Sequence, residues 1–227
     1  MSHPHEPADL EAKAQTHADD SFRVIVSYDR VAFVVKPSRE NLVGSARRVR
    51  SKRANLVSTS ELLSIACHGH SFALASYEVD PYWARPRWGR FLGANACVLA
   101  FENEHEEHYV QPTDVLERLC SLNLDPLIMY HAFGSKPGYD GCHGLAAFRG
   151  RPSLVYHPRF RVVVRLAETV TDAAEAQKAI RALYARFPEA DQRCRDVDRI
   201  FLGSRSYGYD FTNTDWDSYD FERAAVS

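Results

Sequence analysis

The 227-residue sequence lacks several patterns that would assign it to a common class at once. It has no apolar run of about 18 residues, which argues against a membrane-spanning helix. It also has no GxGxxG or P-loop sequence, no Gly-x-Ser-x-Gly elbow and no internal repeat, which argues against dinucleotide folds, Walker-type phosphate loops and serine hydrolases. With 45% hydrophobic residues, one globular domain is the simplest interpretation.

Neither charge nor cysteine usage points to a special environment. The formal net charge is -2, so a site for a polyanion has to come from local clustering of basic residues. The N-terminal stretch is polar and acidic, unlike a signal peptide. We therefore expect a cytoplasmic protein that has no membrane partner and keeps its thiols reduced. The cysteines are odd in number and form no CxxC pair: Cys67, Cys97, Cys120, Cys142 and Cys194.

The sequence predicts a flexible arm at 1–20 and one domain at 21–205, in which strand and helix patterns alternate. We expect the acidic, aromatic tail at 206–227 to pack on this domain. The alternation predicts an α+β fold with a mainly antiparallel sheet. The connection 134–158 is long enough to be a functional loop. Predicted strands are 22–28 and 31–37 as a hairpin, then 71–78, 96–102, 127–133, 159–166 and 199–204. Predicted helices are one with a Ser58–Glu61 capping box, one at 111–123 capped by Thr113, and one capped by Asp172 and Glu175.

One strand combines an apolar face with a cationic face. In RFRVVVRL (159–166), even-numbered Phe160, Val162, Val164 and Leu166 alternate with Arg159, Arg161 and Arg165. Because successive strand residues point to opposite faces, one side can pack on a core while the other meets an anionic ligand.

Two basic stretches are candidates for nucleic-acid contact. The segment 39–53 is either a solvated loop or a phosphate-contacting patch. The loop 81–91 interleaves arginines with aromatic rings, an arrangement that suits bases and phosphates but also suits simple stacking. The nucleic-acid-binding candidates are Arg47, Arg48, Arg50, Lys52, Arg53, Arg87 and Arg90.

The stretch VLAFENEHEEHY (98–109) turns from a buried strand into carboxylates and imidazoles. On an extended chain Glu102 and Glu104 share a face and could hold one Mg²⁺ or Mn²⁺ ion. A solvated acidic turn is the alternative. A third acid is available in DQRCRDVDRIFLGS, at Asp191, Asp196 or Asp198.

These segments resemble a known family. A strand that ends in acid-x-acid, then PRFRVVVRL, a helix and FPEADQRCRDVDRIFLGS, resemble the catalytic core of archaeo-eukaryotic primases, in particular the primase-polymerases of plasmids, phages and other mobile elements. The likeness runs from about residue 58 to 205. Its most specific part is FRVVVRL with D-x4-D-x2-R-x3-GS.

The resemblance implies an RRM-like catalytic layer beside an N-terminal α/β module, and Mg²⁺- or Mn²⁺-dependent addition of nucleotides to a nucleic-acid strand. By position, Glu102 matches the second acid of the family's Asp-x-Asp, and Asp191 matches the third metal carboxylate, with Asp196 as the neighbouring candidate. Arg161 resembles the basic residue that meets the incoming triphosphate, and Arg199 resembles an arginine near the closing strand.

The sequence departs from the family pattern in two places. Ala100 stands where the family has its first acid, so the acid pair has moved to Glu102 and Glu104, the site is degenerate, or the alanine is an engineered substitution. The family's Ser-x-His is not visible in YHAFGSKPG, and His131, which we take as the catalytic candidate, His143 and His157 are the candidate substitutes. A zinc site in CHGH (67–70) lacks a second ligand pair.

The leading hypothesis is a DNA primase- or polymerase-type nucleotidyltransferase from a mobile-element replication system. Arg161 and Arg165 would neutralise the charge of a nucleoside triphosphate, and the basic segments would follow single-stranded or primed nucleic acid, with a helicase as a further expected partner. The alternative is a catalytically degenerate primase-like module that binds nucleic acid or protein. A metal-dependent nuclease using the same carboxylates is a third hypothesis.

Overall fold

A computed structural model describes residues 22–78, 90–103, 109–132, 146–148, 151–153, 159–205 and 208–212. In chain order the elements are β1 (Val24–Ala32), α1 (Arg39–Arg50), β2 (Asn55–Val57), α2 (Thr59–Cys67), β3 (His70–Ala73), β4 (Ser76–Tyr77), β5 (Phe91–Phe101), α3 (Pro112–Ser121), β6 (Pro126–His131), β7 (Ala146–Phe148), β8 (Arg151–Ser153), β9 (Phe160–Val170), α4 (Ala173–Arg186), β10 (Phe201–Leu202) and β11 (Gly208–Asp210), with a 3₁₀ turn at Gln192–Cys194.

The strands form two larger sheets and one hairpin. The first sheet has the order β10-β3-β1-β2, the second has the order β11-β6-β9-β5-β4, and β7 pairs with β8. Every pairing between these strands is antiparallel. The predicted α+β fold with a mainly antiparallel sheet is therefore confirmed.

The centre of the second sheet has the strand order of a split βαβ unit. Strands β5 and β6 are connected through α3, and β9 lies between them, antiparallel to both. The two edge strands come from distant parts of the sequence, because β4 pairs with β5 and β11 pairs with β6. The predicted tail thus begins, at β11, with an edge strand of this sheet.

Helix α4 covers one face of the second sheet and sets the position of the loop that comes after it. Its N-terminus is capped by Asp172, whose carboxylate accepts from the amides of Ala174 and Glu175. Tyr184 donates its hydroxyl proton to the carbonyl of Val98, 2.9 Å away, on β5. The predicted buried stripe of this helix is observed at Ala176, Ile180, Leu183, Tyr184 and Phe187.

Helix α1 corrects one of the two interpretations of the basic segment. Residues 39–50 are helical and not a loop, with Ser38 as the N-cap that accepts from the amide of Asn41. The buried side of this helix consists of Ser45 and Val49, a short stripe that the four arginines of the helix obscure in the sequence. The basic residues of its last turn complement the negative end of the helix dipole.

Other expectations differ in detail. The capping box of Ser58 and Glu61 opens α2 as predicted, and Gly69, with φ of 89°, follows its end. The predicted hairpin is one long strand, β1, and helix α3 is capped at Gln111 and not at Thr113. Residues 71–78 divide between two sheets. No helix within the described ranges is long and apolar enough to cross a membrane.

Candidate phosphate-binding site at the end of β5

The site begins with a row of residues across the second sheet. Ala100 on β5 pairs with Arg161 on β9, and Arg161 pairs on its other side with Tyr130 on β6. Paired residues on neighbouring antiparallel strands point to the same face. Glu102, two residues beyond Ala100, therefore lies where its side chain can reach the same arginine.

The two faces of the second sheet have different environments. On the arginine face, the ring of Tyr130 lies 6.0 Å from that of Phe72 on β3, so this face looks toward the first sheet. On the opposite face, Phe101 stacks on Phe160 at 4.8 Å and meets Phe187 at the end of α4 edge-on. The predicted cationic face of β9 thus looks toward the first sheet, and its predicted apolar face is the one that α4 covers.

Glu102 is paired with two arginines of β9. Its Oε1 lies 3.3 Å from Nη2 of Arg161, and its Oε2 lies 3.6 Å from Nη1 of Arg159. Arg161 is 13% exposed, and its Nε and Nη1 are buried without a hydrogen-bond partner among the described residues. The guanidinium thus keeps N–H donors for a further acceptor, which a buried charged group normally requires.

Asp191 reaches the same strand end although it lies far from β5 in the sequence. Its amide donates to the carbonyl of Ala100 at 2.7 Å, so Asp191 lies against the end of β5. Burial alone would raise the pKa of Asp191, but hydrogen bonds from the side chain and amide of Arg193 outweigh it and lower the pKa below its ordinary value. The carboxylate is therefore ionised near neutral pH.

The loop that carries Asp191 is held by α3. Arg118 donates to both carboxylate oxygens of Glu189 at 2.9 to 3.0 Å, and its guanidinium lies 5.4 Å from the ring centroid of Phe187. No sequence signal indicates this pair, because neither Arg118 nor Glu189 belongs to a local motif. A rigid anchor two residues before Asp191 is what a positioned carboxylate needs.

Asn103 is a second residue that sequence reasoning missed. It adopts φ of 45° and is buried, and its side chain binds both the amide and the carbonyl of Val110, at 3.1 and 2.8 Å. An asparagine tolerates this left-handed conformation better than most residues. It closes the chain on itself directly after Glu102 and so fixes the end of β5.

A cavity of about 240 Å³ lies beside Arg161, where α1, β3 and β10 meet the segment that contains Cys194 and Arg199. Arg161 and Arg199 line it together with the hydroxyl-bearing residues Ser45 and Ser71. Burial raises the pKa of Cys194, which also lines the cavity, and the nearby charges of Arg199 and Arg161 oppose that rise. Its other lining residues are Leu42, Ala46, Ile200, Phe201 and Leu202.

The described residues do not supply the donor set that the expected Mg²⁺ or Mn²⁺ ion needs. Ala100 has no ligand atom, and the carboxylates of Glu102 and Asp191 are engaged by arginines. Within the described ranges no group of three or more His, Cys, Asp or Glu side chains is close enough to hold a metal ion. Glu104, the predicted partner of Glu102, lies outside those ranges.

Three predicted residues lie apart from this strand end. His131 pairs with Phe160 and so belongs to the helix-covered face, where burial lowers its pKa to about 4. Arg165 lies over the ring of Phe22, 4.3 Å from its centroid, four residues along β9 from Arg161. Asp196 lines a small second cavity with Ala96, Cys97 and Val98, further back along β5. Strand pairing puts His131 on the face of the sheet opposite Arg161, and its expected catalytic role stays a prediction.

The basic residues divide between structural and exposed positions. Arg48 donates from Nε and Nη2 to the buried carboxylate of Asp29 at 2.8 to 2.9 Å, which gives it a structural role in fastening α1 to β1. Burial lowers the pKa of Arg50, partly offset by the charge of Asp198. Lys52 is half-buried, and Arg47, Arg53 and Arg90 are exposed. Arg87, His143 and His157 lie outside the described residues.

Comparison of this chain with protein-family models, with curated proteins and with solved structures found no match. A proposal for its function therefore depends on the geometry of the strand end and on the sequence resemblance.

Proposed function

We propose that this chain is a primase-polymerase-type domain that binds a nucleoside triphosphate beside a nucleic-acid strand and adds nucleotides to that strand, with Mg²⁺ or Mn²⁺ as the cofactor. The observation that carries the proposal is the hydrogen bond from the amide of Asp191 to the carbonyl of Ala100. It brings together the two segments that the resemblance pairs, which lie far apart in the sequence.

The arginines support the binding of a nucleotide. Nε and Nη1 of Arg161 have no hydrogen-bond partner among the residues that the structure describes, and Arg199 lies on the same cavity. Guanidinium groups in a partly desolvated site stabilise phosphate oxygens and the charge that develops during phosphoryl transfer. In this proposal Arg161 holds the phosphate chain, and Arg199 binds it from the other side.

The basic C-terminal end of α1 supports binding of the nucleic-acid strand near the cavity. Leu42, Ser45 and Ala46 of this helix line the cavity, and Arg47 is exposed on the same helix. A strand bound there would pass beside the phosphate chain of the nucleotide. Contacts of this kind depend on salt and carry little sequence preference. A cytoplasmic replication system with a helicase remains the setting that the resemblance implies.

A second candidate function is a degenerate module that binds nucleotide or strand without transfer. Two observations favour it: Ala100 replaces the first acid, and Glu102 is neutralised by Arg159 and Arg161. Under the first proposal, transfer requires a further carboxylate, and Glu104 is the residue of this chain that the sequence offers.

A primer-extension assay on a primed single-stranded template, with Mn²⁺ and either ribo- or deoxynucleoside triphosphates, separates the two functions. Extension supports the first proposal. Binding of template or nucleotide without extension supports the second. Loss of template in the absence of triphosphates would identify a nuclease, and a protein that neither binds nor extends would contradict both proposals.

A further inference from the structure

The first sheet has an open edge at β2. Strand β2 pairs with β1 on one side and, within the described residues, is the last strand of its sheet. The amide of Ile25 on β1 donates to the side chain of Asn95 at 2.9 Å, so Ile25 and its partner Leu56 form a non-hydrogen-bonded pair. The N–H and C=O groups of Leu56 therefore point away from β1, toward the open edge.

The side chain of Leu56 adds an apolar surface to this edge. It is 66% exposed, compared with 47% for Leu92 on the second sheet. Ile25 points to the same face as Leu56 and is half-buried. An exposed apolar edge strand is a template for pairing with another segment. A segment bound beside β2 would gain main-chain hydrogen bonds and would cover an exposed leucine.

The chain between the last turn of α1 and the start of β2 is basic. Arg47 and Arg53 are exposed and Lys52 is half-buried, and in the part of the chain that the structure describes none of the three forms an ion pair. Glu61, which follows β2 at its other end, is engaged by Arg23 at 3.5 Å. A segment that binds this edge should therefore be acidic as well as apolar.

Residues 213–222 of the same chain have this chemistry and begin close to β2. They lie outside the described ranges and read NTDWDSYDFE, with four acids, three aromatic residues and no basic residue. The hydroxyl of Thr212, the preceding residue, lies 2.6 Å from that of Thr59, the first residue of α2. Thr59 follows Leu56 by three residues, a span of at most about 11 Å. The segment can therefore reach β2 within a few residues.

We propose that residues 213–222 bind in extended form along the open edge of β2, where their main chain pairs with Leu56, an aromatic ring covers its side chain, and their carboxylates face Lys52 and Arg53. The contact is intramolecular, and it protects an edge that could otherwise pair with another chain. Because the segment is tethered at Thr212, it meets this surface at a high effective concentration, and modest contacts are enough to hold it.

The bound segment would also cover basic residues that a nucleic-acid strand could contact. Arg47 and Arg53 lie at the end of α1 and just beyond it, where the proposed function puts that strand. Carboxylates bound there compete with phosphate groups for the same charges. This competition rests on the proposed function, whereas the binding of residues 213–222 to β2 does not.

Photo-cross-linking of the full chain tests the proposal. In Leu56→p-benzoylphenylalanine a photoreactive side chain stands on the open edge, and we expect peptide mapping to find it joined to residues 213–222 of the same chain. Leu92→p-benzoylphenylalanine is the matched control, because Leu92 is an exposed leucine of the other sheet, and it should not give this product. Raising the salt concentration from about 0.05 to about 0.5 M should lower the yield about twofold or more, because screening weakens the contacts between charges.

A variant of the segment provides a second readout. The full chain with Asp215→Asn, Trp216→Ser and Asp217→Asn loses two carboxylates and one ring of the segment. Its cross-link from position 56 should disappear, and the amide of Leu56 should exchange with solvent about tenfold faster than in the wild type, because the hydrogen bond to the segment is lost. If the segment competes with a nucleic-acid strand, the affinity of this variant for single-stranded DNA should rise about threefold.

The absence of a cross-link from position 56 to residues 213–222, or an equal yield from position 92, would overturn the proposal. A cross-linked product of twice the mass would assign the edge of β2 to a second copy of the chain and would overturn it as well. The expected cross-link with unchanged DNA affinity in the triple variant would support the binding of the segment and reject the competition. A chain that cross-links as expected but does not extend primers would support this inference while the proposed transfer fails.

Discussion

Two carboxylate–arginine pairs in this molecule have the same chemistry but differ in what they leave unpaired. Asp29 accepts from Arg48, from Ser45 and from the amide of Val31, and its carboxylate is fully buried. Glu102 is 22% exposed, and its arginine partners lie at 3.3 and 3.6 Å.

We interpret the Asp29 pair as structural and propose that the Glu102 pair is functional. The acceptors of Asp29 are filled by short hydrogen bonds, so the pair has nothing to offer a ligand and serves to fasten α1 to β1. Nε and Nη1 of Arg161 have no hydrogen-bond partner within the described part of the chain, and they lie next to a cavity. The Asp29 pair and the Glu102 pair therefore differ in how completely their polar groups are hydrogen-bonded, and not in their charge or proximity.

The largest effect is expected from Asp191→Asn, which removes the carboxylate that lies against the end of β5 near the Glu102 pair. If the chain extends primers, the rate should fall about 100-fold or more, because the substitution deletes the acid that the resemblance assigns to the reaction. Asp196→Asn is the matched control and should retain most of the activity, since Asp196 lies further back along β5. Equal losses in the two variants would contradict the placement of the site.

Breaking the pair of Asp29 and Arg48 should lower the stability of the protein. Asp29→Asn removes the ionised partner of Arg48, and we expect the free energy of unfolding to fall by about 2–3 kcal/mol, less than for a fully enclosed pair because the Arg48 side chain is 42% exposed. Urea denaturation at pH 7 measures this. Glu102→Gln should cost less than about 1 kcal/mol in the same experiment, because its partners are only partly enclosed.

The Asp29→Asn variant should also change how the stability depends on pH. Hydrogen bonds from Arg48 and Ser45 outweigh the effect of burial and lower the pKa of Asp29 in the folded protein. This contribution to stability is present above the unfolded-state pKa and is lost as the pH falls through the folded-state value. The difference in stability between wild type and Asp29→Asn should therefore shrink in strong acid. A difference that stays constant down to about pH 2 would contradict this assignment.

A buried ionisable group outside both pairs sharpens the comparison. Burial lowers the pKa of His131 from 6.5 to about 4, so the folded protein keeps the ring neutral while the unfolded chain takes up a proton. Stability should therefore fall by about 2 kcal/mol between pH 6.5 and 4, a window above that of Asp29. In His131→Gln this part of the pH dependence should disappear. Its persistence would show that another group titrates there.

The smallest effect, and the most specific, concerns Ala100, the position at which the family resemblance predicts an acid. Ala100→Asp restores a carboxylate beside Arg161, Glu102 and Asp191, and it should create a Mn²⁺ response that raises the unfolding temperature by roughly 3 °C. Ala100→Asn adds similar volume without charge and should give no such shift. A wild-type protein that already shows the full Mn²⁺ response would mean that the acid pair has moved to Glu102 and Glu104.

Local signals predicted much of the fold. The capping box at Ser58, the alternation along β9 and the apolar spacing of α4 each lie within a few residues, and the structure confirms all three. Helix α1 was missed because its buried side includes Ser45, whose partner Asp29 is 16 positions away. Such a contact depends on the tertiary fold and leaves no periodic trace in the sequence.

The site could be predicted only in part for the same reason. Arg161 was predicted from strand alternation and Asp191 from the family resemblance. The side of the sheet on which His131 lies depends on strand register. The ion pair between Arg118 and Glu189 joins residues that are 71 positions apart in the sequence. Strand register and long-range ion pairs are set by packing, which the local pattern does not encode.

The decisive experiment is calorimetric titration of the full chain with a nucleoside triphosphate, comparing Arg161→Ala with Arg165→Ala. Both variants lose one arginine from the same strand, but only Arg161 lies at the end of β5 and on the cavity. We predict that Arg161→Ala abolishes binding while Arg165→Ala binds like the wild type. Equal affinity in both variants would contradict the assignment of this strand end as the functional site.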